Sequence, residues 1–162
     1  MAPRRHTPAV TTPLLTGMRI TTPLLLMAAL IFSGSIRAAE YLGSTDPALA
    51  QLPFSEAVRT DGLLILSGQI PNIPGTLEVV PGGITEQSHQ VMKNIQAILE
   101  RHGSSLAKVV KCTVMIDDMA DWPAFNDVYV QYFPGPKPAR SAFGADGLAL
   151  GALVEVECWA EH

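Results

Sequence analysis

Two hydrophobic rhythms stand back to back between Thr85 and Ile116, and this juxtaposition constrains the fold more than any other feature of the chain. In TEQSHQVMKNIQAILERHG, Val91, Ile95, Ile98 and Leu99 recur at helical spacing, while Lys93, Gln96 and Glu100 fall on the other side. Thr85 is placed as N-cap and Gly103 as the C-terminal stop, so the spacing predicts a helix over 85–103. In Ala107–Ile116 the period drops to two. Val110, Cys112, Val114 and Ile116 alternate with Lys111, Thr113 and Met115, which predicts a strand with one buried face. A helix with one apolar stripe and a strand with one apolar face must bury those surfaces against other elements, which calls for a layered arrangement of helices on a sheet.

The flanking segments extend this reading. SEAVRT and LLILSGQI form a hairpin across Asp61-Gly62, a strong short-range hairpin signal. Residues 40–53 read as loop, with GSTDPA as turn material, and Pro71–Gly83 is a loop rich in proline and glycine. A second helix follows Asp121 as N-cap, with Pro123 in its first turn and Phe125, Val128, Tyr129 and Tyr132 on its apolar side. Two strands, ARSAFGA and LVEVECWA, complete the chain, with Val154, Val156 and Cys158 facing opposite to Glu155 and Glu157. The order ββ–α–β–α–ββ predicts an α+β sandwich with two helices on one sheet face. The other face carries many apolar residues and predicts burial against further copies of the chain.

The front of the chain is a different object. Residues 1–39 contain no Asp or Glu and carry Arg4, Arg5, Arg19 and Arg37. Pro23–Phe32, PLLLMAALIF, has the length of a signal-peptide apolar region and is short for a bilayer span. Ser35, Ala38 and Ala39 are each placed for cleavage, and Met18 opens a neater leader than Met1. Residues 1–39 are therefore expected to be a signal peptide, with export to a periplasm or medium, and 40–162 a single domain. An uncleaved N-terminal anchor is the alternative.

From residue 40 onward, seven Lys/Arg face fifteen Asp/Glu, a formal net charge of −8. Such a surface repels phosphate backbones and excludes the usual nucleic-acid binders. Cys112 and Cys158 are the only cysteines. They are able to bond in an oxidising compartment, or to lie as two inert thiols in buried strands. His6, His89, His102 and His162 show no metal-ligand spacing, and His89 and His102 read as solvated helix residues. The chain has no GxSxG elbow, P-loop or GxGxxG.

The chemistry-bearing residues that remain are few. Arg140 sits two residues after Pro138 on a stiffened segment, and its planar fork suits a carboxylate. Glu155 follows fifteen residues later on the final strand, where it is able to orient or activate a water. Pairing of the last two strands would place the two at a common edge. A salt bridge between them without chemistry is the alternative reading. Ser67-Gly68 ends a strand and offers a hydroxyl and backbone N–H groups.

LPFSEAV, LLILSGQIP, GGITEQSHQVMKNIQAILERHGSSLAKVVKCTVMIDDM, FNDVYVQYF, KPARSAFG and LGALVEVECWA occur in order from Leu52 to Ala160. Together they resemble the reactive intermediate deaminase family (RidA/YjgF, also labelled L-PSP endoribonuclease). The resemblance implies a chorismate-mutase-like α+β fold and a homotrimer with its sheets facing inward and its sites in the clefts between subunits. It also implies hydrolysis of 2-imino and enamine acids such as 2-aminoacrylate to 2-keto acids and ammonia, with no cofactor. By the same resemblance, Arg140 clamps the substrate carboxylate, Glu155 positions the hydrolytic water, Ser67 and Gly68 form the pocket wall, and Asn126 lies beside the site. Phe54 stands where many members have tyrosine, and Ala142 where some have cysteine. A non-catalytic trimer that binds small carboxylates or acts as a chaperone is the second reading. A ribonuclease is disfavoured by the charge of −8.

Overall fold

The computed structural model describes residues 38–162. The leader read at residues 1–39 lies, apart from Ala38 and Ala39, outside the described residues. Six strands and two helices follow in order: β1 (Glu40–Leu42), β2 (Ala57–Thr60), β3 (Leu63–Leu66), α1 (Ile84–Arg101), β4 (Val109–Ile116), α2 (Trp122–Tyr132), β5 (Ala139–Gly144) and β6 (Val154–Glu161). They form one mixed sheet in the order β1-β2-β3-β6-β4-β5. Only the β4–β5 pair is parallel, because α2 carries the chain back between them as a crossover.

The α+β class with two helices on one face is as the sequence predicts, and so is the hairpin. Thr60 pairs with Leu63 across a two-residue turn in which Gly62 takes a φ of 77°, in the left-handed region. The core lies between sheet and helices. Leu64, Leu66, Cys112, Val114, Ile116, Val154, Val156 and Cys158 face Val91, Met92, Ile95, Leu99 and Phe125, all fully buried or nearly so. The opposite face presents Val58, Ile65, Met115, Phe143 and Trp159 beside Lys111, Thr113, Ser141, Glu155 and Glu157, and Phe143 and Trp159 are exposed.

Several details differ from the sequence reading. Residues 40–42, read as loop, pair with β2 as an edge strand, and Glu40 accepts from Arg59 at 2.6 Å. The N-cap of α1 is Gly83 rather than Thr85, with the Glu86 carboxylate reaching back to the Gly83 N–H at 2.9 Å. A register shift between Val109 and Lys111 turns Val109 inward and leaves Val110 outward, 40% exposed. His89 and His102 are half-buried rather than solvated. His89 lies 3.0 Å from the Tyr132 hydroxyl, and His102 lies 3.0 Å from the Glu56 carboxylate.

The largest departure is at the C-terminal end. β5 and β6 do not pair, because β4 is inserted between them. Cys112 on β4 and Cys158 on β6 stand directly opposite one another, and they form a disulfide within the core. The alternative of two inert thiols is thereby excluded.

Candidate functional site

The polar chemistry of the chain falls into two places. The first is built by an irregularity in β3. Leu63, Leu64 and Ile65 pair regularly with β6, and the ladder resumes at Gln69 opposite Val156, with two backbone hydrogen bonds of 2.9 Å. The β3 side spends one more residue than β6 over that interval, so Ser67-Gly68 bulges out of register. The Gln69 side chain donates to the Ser67 and Gly68 carbonyls at 3.0 and 3.3 Å and fixes the bulge. Ser67 donates its hydroxyl to the Ser55 carbonyl at 2.7 Å, which ties the bulge to the segment preceding β2.

Gly68 is required by a close approach. A Cβ there would stand 2.0 Å from Glu155 Oε1 and 2.9 Å from its carboxyl carbon, so any side chain at this position would push the carboxylate out of its present place. Around it opens a cavity of ≈ 330 Å³, whose apolar wall includes Leu49, Leu52, Phe54, Ile70, Leu77 and Leu150. Phe54 is 55% exposed at its mouth. Glu155 is half-buried, and no cationic side chain among the described residues pairs with it. Burial, and secondarily the neighbouring Glu157, push its carboxyl above the usual range. A carboxylate kept without a counter-ion in an apolar recess is a stronger base than an exposed one, which suits proton abstraction from water. Glu56, also at this cavity, is already committed, with Arg101 donating to both of its oxygens at 2.7 Å.

The second place is the edge strand β5. Arg140 shares its rung with Cys112 and so points to the helix side. Its guanidinium carbon lies 4.6 Å from the ring centroids of both Trp122 and Tyr129 on α2. Asn126 lies between those two residues on the same helix face, four residues after Trp122 and three before Tyr129. No ion pair among the described residues involves Arg140. The Tyr129 hydroxyl is pushed up to about 12 by burial, against the opposing pull of the Arg140 charge.

Phe54, Gly68 and Glu155 therefore converge on one cavity, Arg140 and Asn126 on one helix face, and the two groups stay apart. Glu155 shares its rung with Met115 and Phe143, three residues along β6 from the rung of Arg140. Three rises of ~3.3 Å along the strand and two spacings of ~4.8 Å across it put the two Cα atoms on the order of 14 Å apart. Their side chains also leave opposite faces of the sheet. The common edge expected within one chain does not exist, and neither does the salt bridge. Sequence reasoning missed Trp122 and Tyr129. Their i, i+7 spacing around Asn126 is a visible signal, masked because Tyr129 also serves the apolar face of the helix.

The profile of the family described as Endoribonuclease L-PSP matches residues 45–162. The Arabidopsis thaliana protein named Reactive Intermediate Deaminase A, chloroplastic, is 42% identical over 116 residues, which are 71% of this chain and 62% of that protein. A mouse protein named 2-iminobutanoate/2-iminopropanoate deaminase is 40% identical over 105 residues, 65% of this chain and 78% of that protein. The crystal structure of the YjgF gene product from E. coli superposes with a TM-score of 0.69 at 30% identity, covering 76% of this chain and 98% of that one. RidA from a Psychrobacter species superposes with a TM-score of 0.70 at 33% identity, covering 76% and 99%.

Proposed function

Because the chain belongs to the Endoribonuclease L-PSP family, the RidA/YjgF group, we propose that it is a hydrolytic deaminase converting 2-imino and enamine acids to 2-keto acids and ammonia. The observation that carries this reading is the divided site. One chain holds a guanidinium at a sheet edge and a carboxylate of raised basicity in a cavity, facing apart and neither with an ion-pair partner among the described residues. In a closed ring of identical subunits, the Arg140 half of one copy meets the Glu155 half of the next, and each boundary completes one site. A homotrimer of this kind also covers the apolar residues of the outer face.

The chemistry follows from these two groups. The Arg140 fork receives the substrate carboxylate in plane through two N–H donors and orients the imine carbon. Glu155 takes a proton from a water whose oxygen attacks that carbon, and the C=N π electrons pass to nitrogen. With the imine entering in its N-protonated form, this gives a neutral carbinolamine. Glu155 then passes its proton to the amino nitrogen, the C–N bond breaks as ammonia leaves, and the hydroxyl proton moves to Glu155 and on to solvent as that oxygen becomes the ketone. An enamine enters the same path after protonation at its terminal carbon. The imine carbon is already electrophilic, so positioning and one base suffice.

Hydrolysis is tested by generating imino acids with an amino-acid oxidase and trapping them with semicarbazide. The parent protein suppresses the adduct. Arg140→Ala loses at least about a hundredfold in kcat/KM, the scale of two charge-assisted hydrogen bonds, while keeping its oligomeric state. Undiminished turnover in that variant rejects the clamp. Binding of 2-oxo acids without any turnover by the parent selects the carboxylate-binding module. The family's name also carries the word endoribonuclease, and a charge of −8 from residue 40 onward speaks against an RNA substrate. Export to an oxidising compartment is part of the proposal, supported by the Cys112–Cys158 disulfide. Intact mass of the purified protein beginning near Glu40 agrees with it.

A further inference from the structure

We infer that Trp122 and Tyr129 are positioning residues, an aromatic clamp whose two rings hold the Arg140 guanidinium so that its faces are covered and its N–H edges stay free for a carboxylate. This rests on the deaminase reading above and deepens it. Trp122 and Tyr129 are seven residues apart on α2, so their Cα atoms are separated by about 10.5 Å along the helix axis. The guanidinium carbon nevertheless lies over both rings at once, 4.6 Å from each centroid. Stacking uses the two faces of the cation and none of its in-plane donors. No carboxylate among the described residues takes those donors.

The surroundings call for such a device. Arg140 is a long side chain on an edge strand whose other residues are all exposed, and nothing on β5 itself restrains it. Left free, it would sample many rotamers, and each carboxylate bound would have to order it. The rings do that ordering in advance. Tyr129 is 5% exposed, its ring packs on Phe125 and Phe133 at 5.5 and 4.8 Å between centroids, and its position is thereby fixed. Trp122 packs on Phe125 at 5.8 Å. The Tyr129 phenol, held well above neutrality by burial, does not ionise to a phenolate that would neutralise the arginine. Its hydroxyl is buried with no partner among the described residues, so the ring is the part of Tyr129 that is engaged.

Once a carboxylate is bound, its two hydrogen bonds hold the fork in the orienting geometry alike in the ground state and in the transition state, so loss of the clamp costs affinity rather than the chemical step. The test measures binding of 2-oxobutanoate by calorimetry and imine hydrolysis by semicarbazide trapping. The variants are Trp122→Leu, Trp122→Phe, Tyr129→Leu, Tyr129→Phe, Arg140→Ala and the Trp122→Leu/Arg140→Ala double. Each leucine variant weakens Kd and raises KM about tenfold with kcat within twofold, the size of one cation–π contact. The phenylalanine variants recover most of that loss, and in the Arg140→Ala background Trp122→Leu adds nothing. Trp122 is half-exposed, so Trp122→Leu alone decides the matter if Tyr129→Leu does not fold. A Trp122→Leu protein within twofold of the parent Kd, equal losses in the leucine and phenylalanine variants, or an undiminished loss in the double variant each overturns the clamp. Unaltered binding and turnover in Arg140→Ala instead sinks the deaminase reading itself.

Discussion

The cavity around Glu155 and the sheet edge at Arg140 hold opposite charges by opposite means. At Glu155 the backbone gives way: a bulge and a missing Cβ admit a carboxylate into apolar surroundings that offer it no partner, and its basicity rises. At Arg140 the side chains close in, and two π faces attract the cation while leaving its donors unused. One charge is held at a cost to its ionised form, the other by contacts that favour it. The contrast matches the roles assigned above, since a base profits from being poorly solvated and an anchor from being immobile.

The sharpest way to break this comparison is to separate the halves genetically. Arg140→Ala and Glu155→Gln proteins, each inactive alone, are unfolded together and reassembled. In a closed ring mixed at random, about one boundary in four joins an intact arginine to an intact glutamate, so about a quarter of parent activity returns. No recovery above the separate proteins would show that the halves never meet. A large effect on stability comes from the disulfide, which joins the strand beside Arg140 to the strand bearing Glu155. Replacing both Cys112 and Cys158 with alanine costs about 4 kcal/mol by the loop-entropy account for a 46-residue separation, read as a lower denaturation midpoint.

Glu155→Gln sharpens the contrast from the other side. Ionisation of Glu155 is harder in the folded chain than in the unfolded one. The group therefore favours the fold below its unfolded pKa, and that contribution is lost as pH rises through the raised folded value. The glutamine variant, although inactive, should melt a few degrees higher near neutrality and match the parent in acid. In the parent, kcat/KM falls on the acid side at a pH above the ordinary carboxylate range, because the base must be ionised to act. An acid limb at the ordinary value would show that burial does not tune this group. The smallest effect belongs to Phe54→Tyr, at the mouth of the cavity. It adds a hydroxyl at the cavity mouth and changes KM by less than about threefold, the modest scale of one solvent-accessible hydrogen bond.

What was legible in the chain followed the range of the interaction. The apolar spacing of Val91, Ile95 and Leu99, the Asp61-Gly62 turn and the alternation at Cys112–Ile116 are written within a few residues, and each predicted element formed. Strand order is not written locally. Nothing in ARSAFGA or LVEVECWA says that β4 lies between them, so the pairing that would have joined Arg140 to Glu155 was wrong. Glu40–Leu42 was missed because three residues cannot show a period. Gly68 and Glu155, visible in the residues themselves, and Phe54, which only the family resemblance singles out, converge on one cavity. Ser67, expected in its wall, is not among the residues lining it and gives its hydroxyl to the Ser55 carbonyl. The rings beside Arg140 went unseen because Tyr129 already had an adequate explanation as core.

The extra residue at Ser67-Gly68 has a consequence for how this molecule is able to change. It throws one strand out of phase with its neighbour, and Gly68 at that mismatch forms part of the wall of the hollow that holds Glu155. Exchanging Leu49, Leu77 or Leu150 would reshape the walls without moving the base, since Glu155 is placed by main-chain pairing on both sides. Deleting one residue from the bulge would bring the ladder back into step and move the Gly68 backbone away from the Glu155 carboxylate. Selectivity and reactivity are thereby written in separate layers, and the first is free to drift while the second stands still.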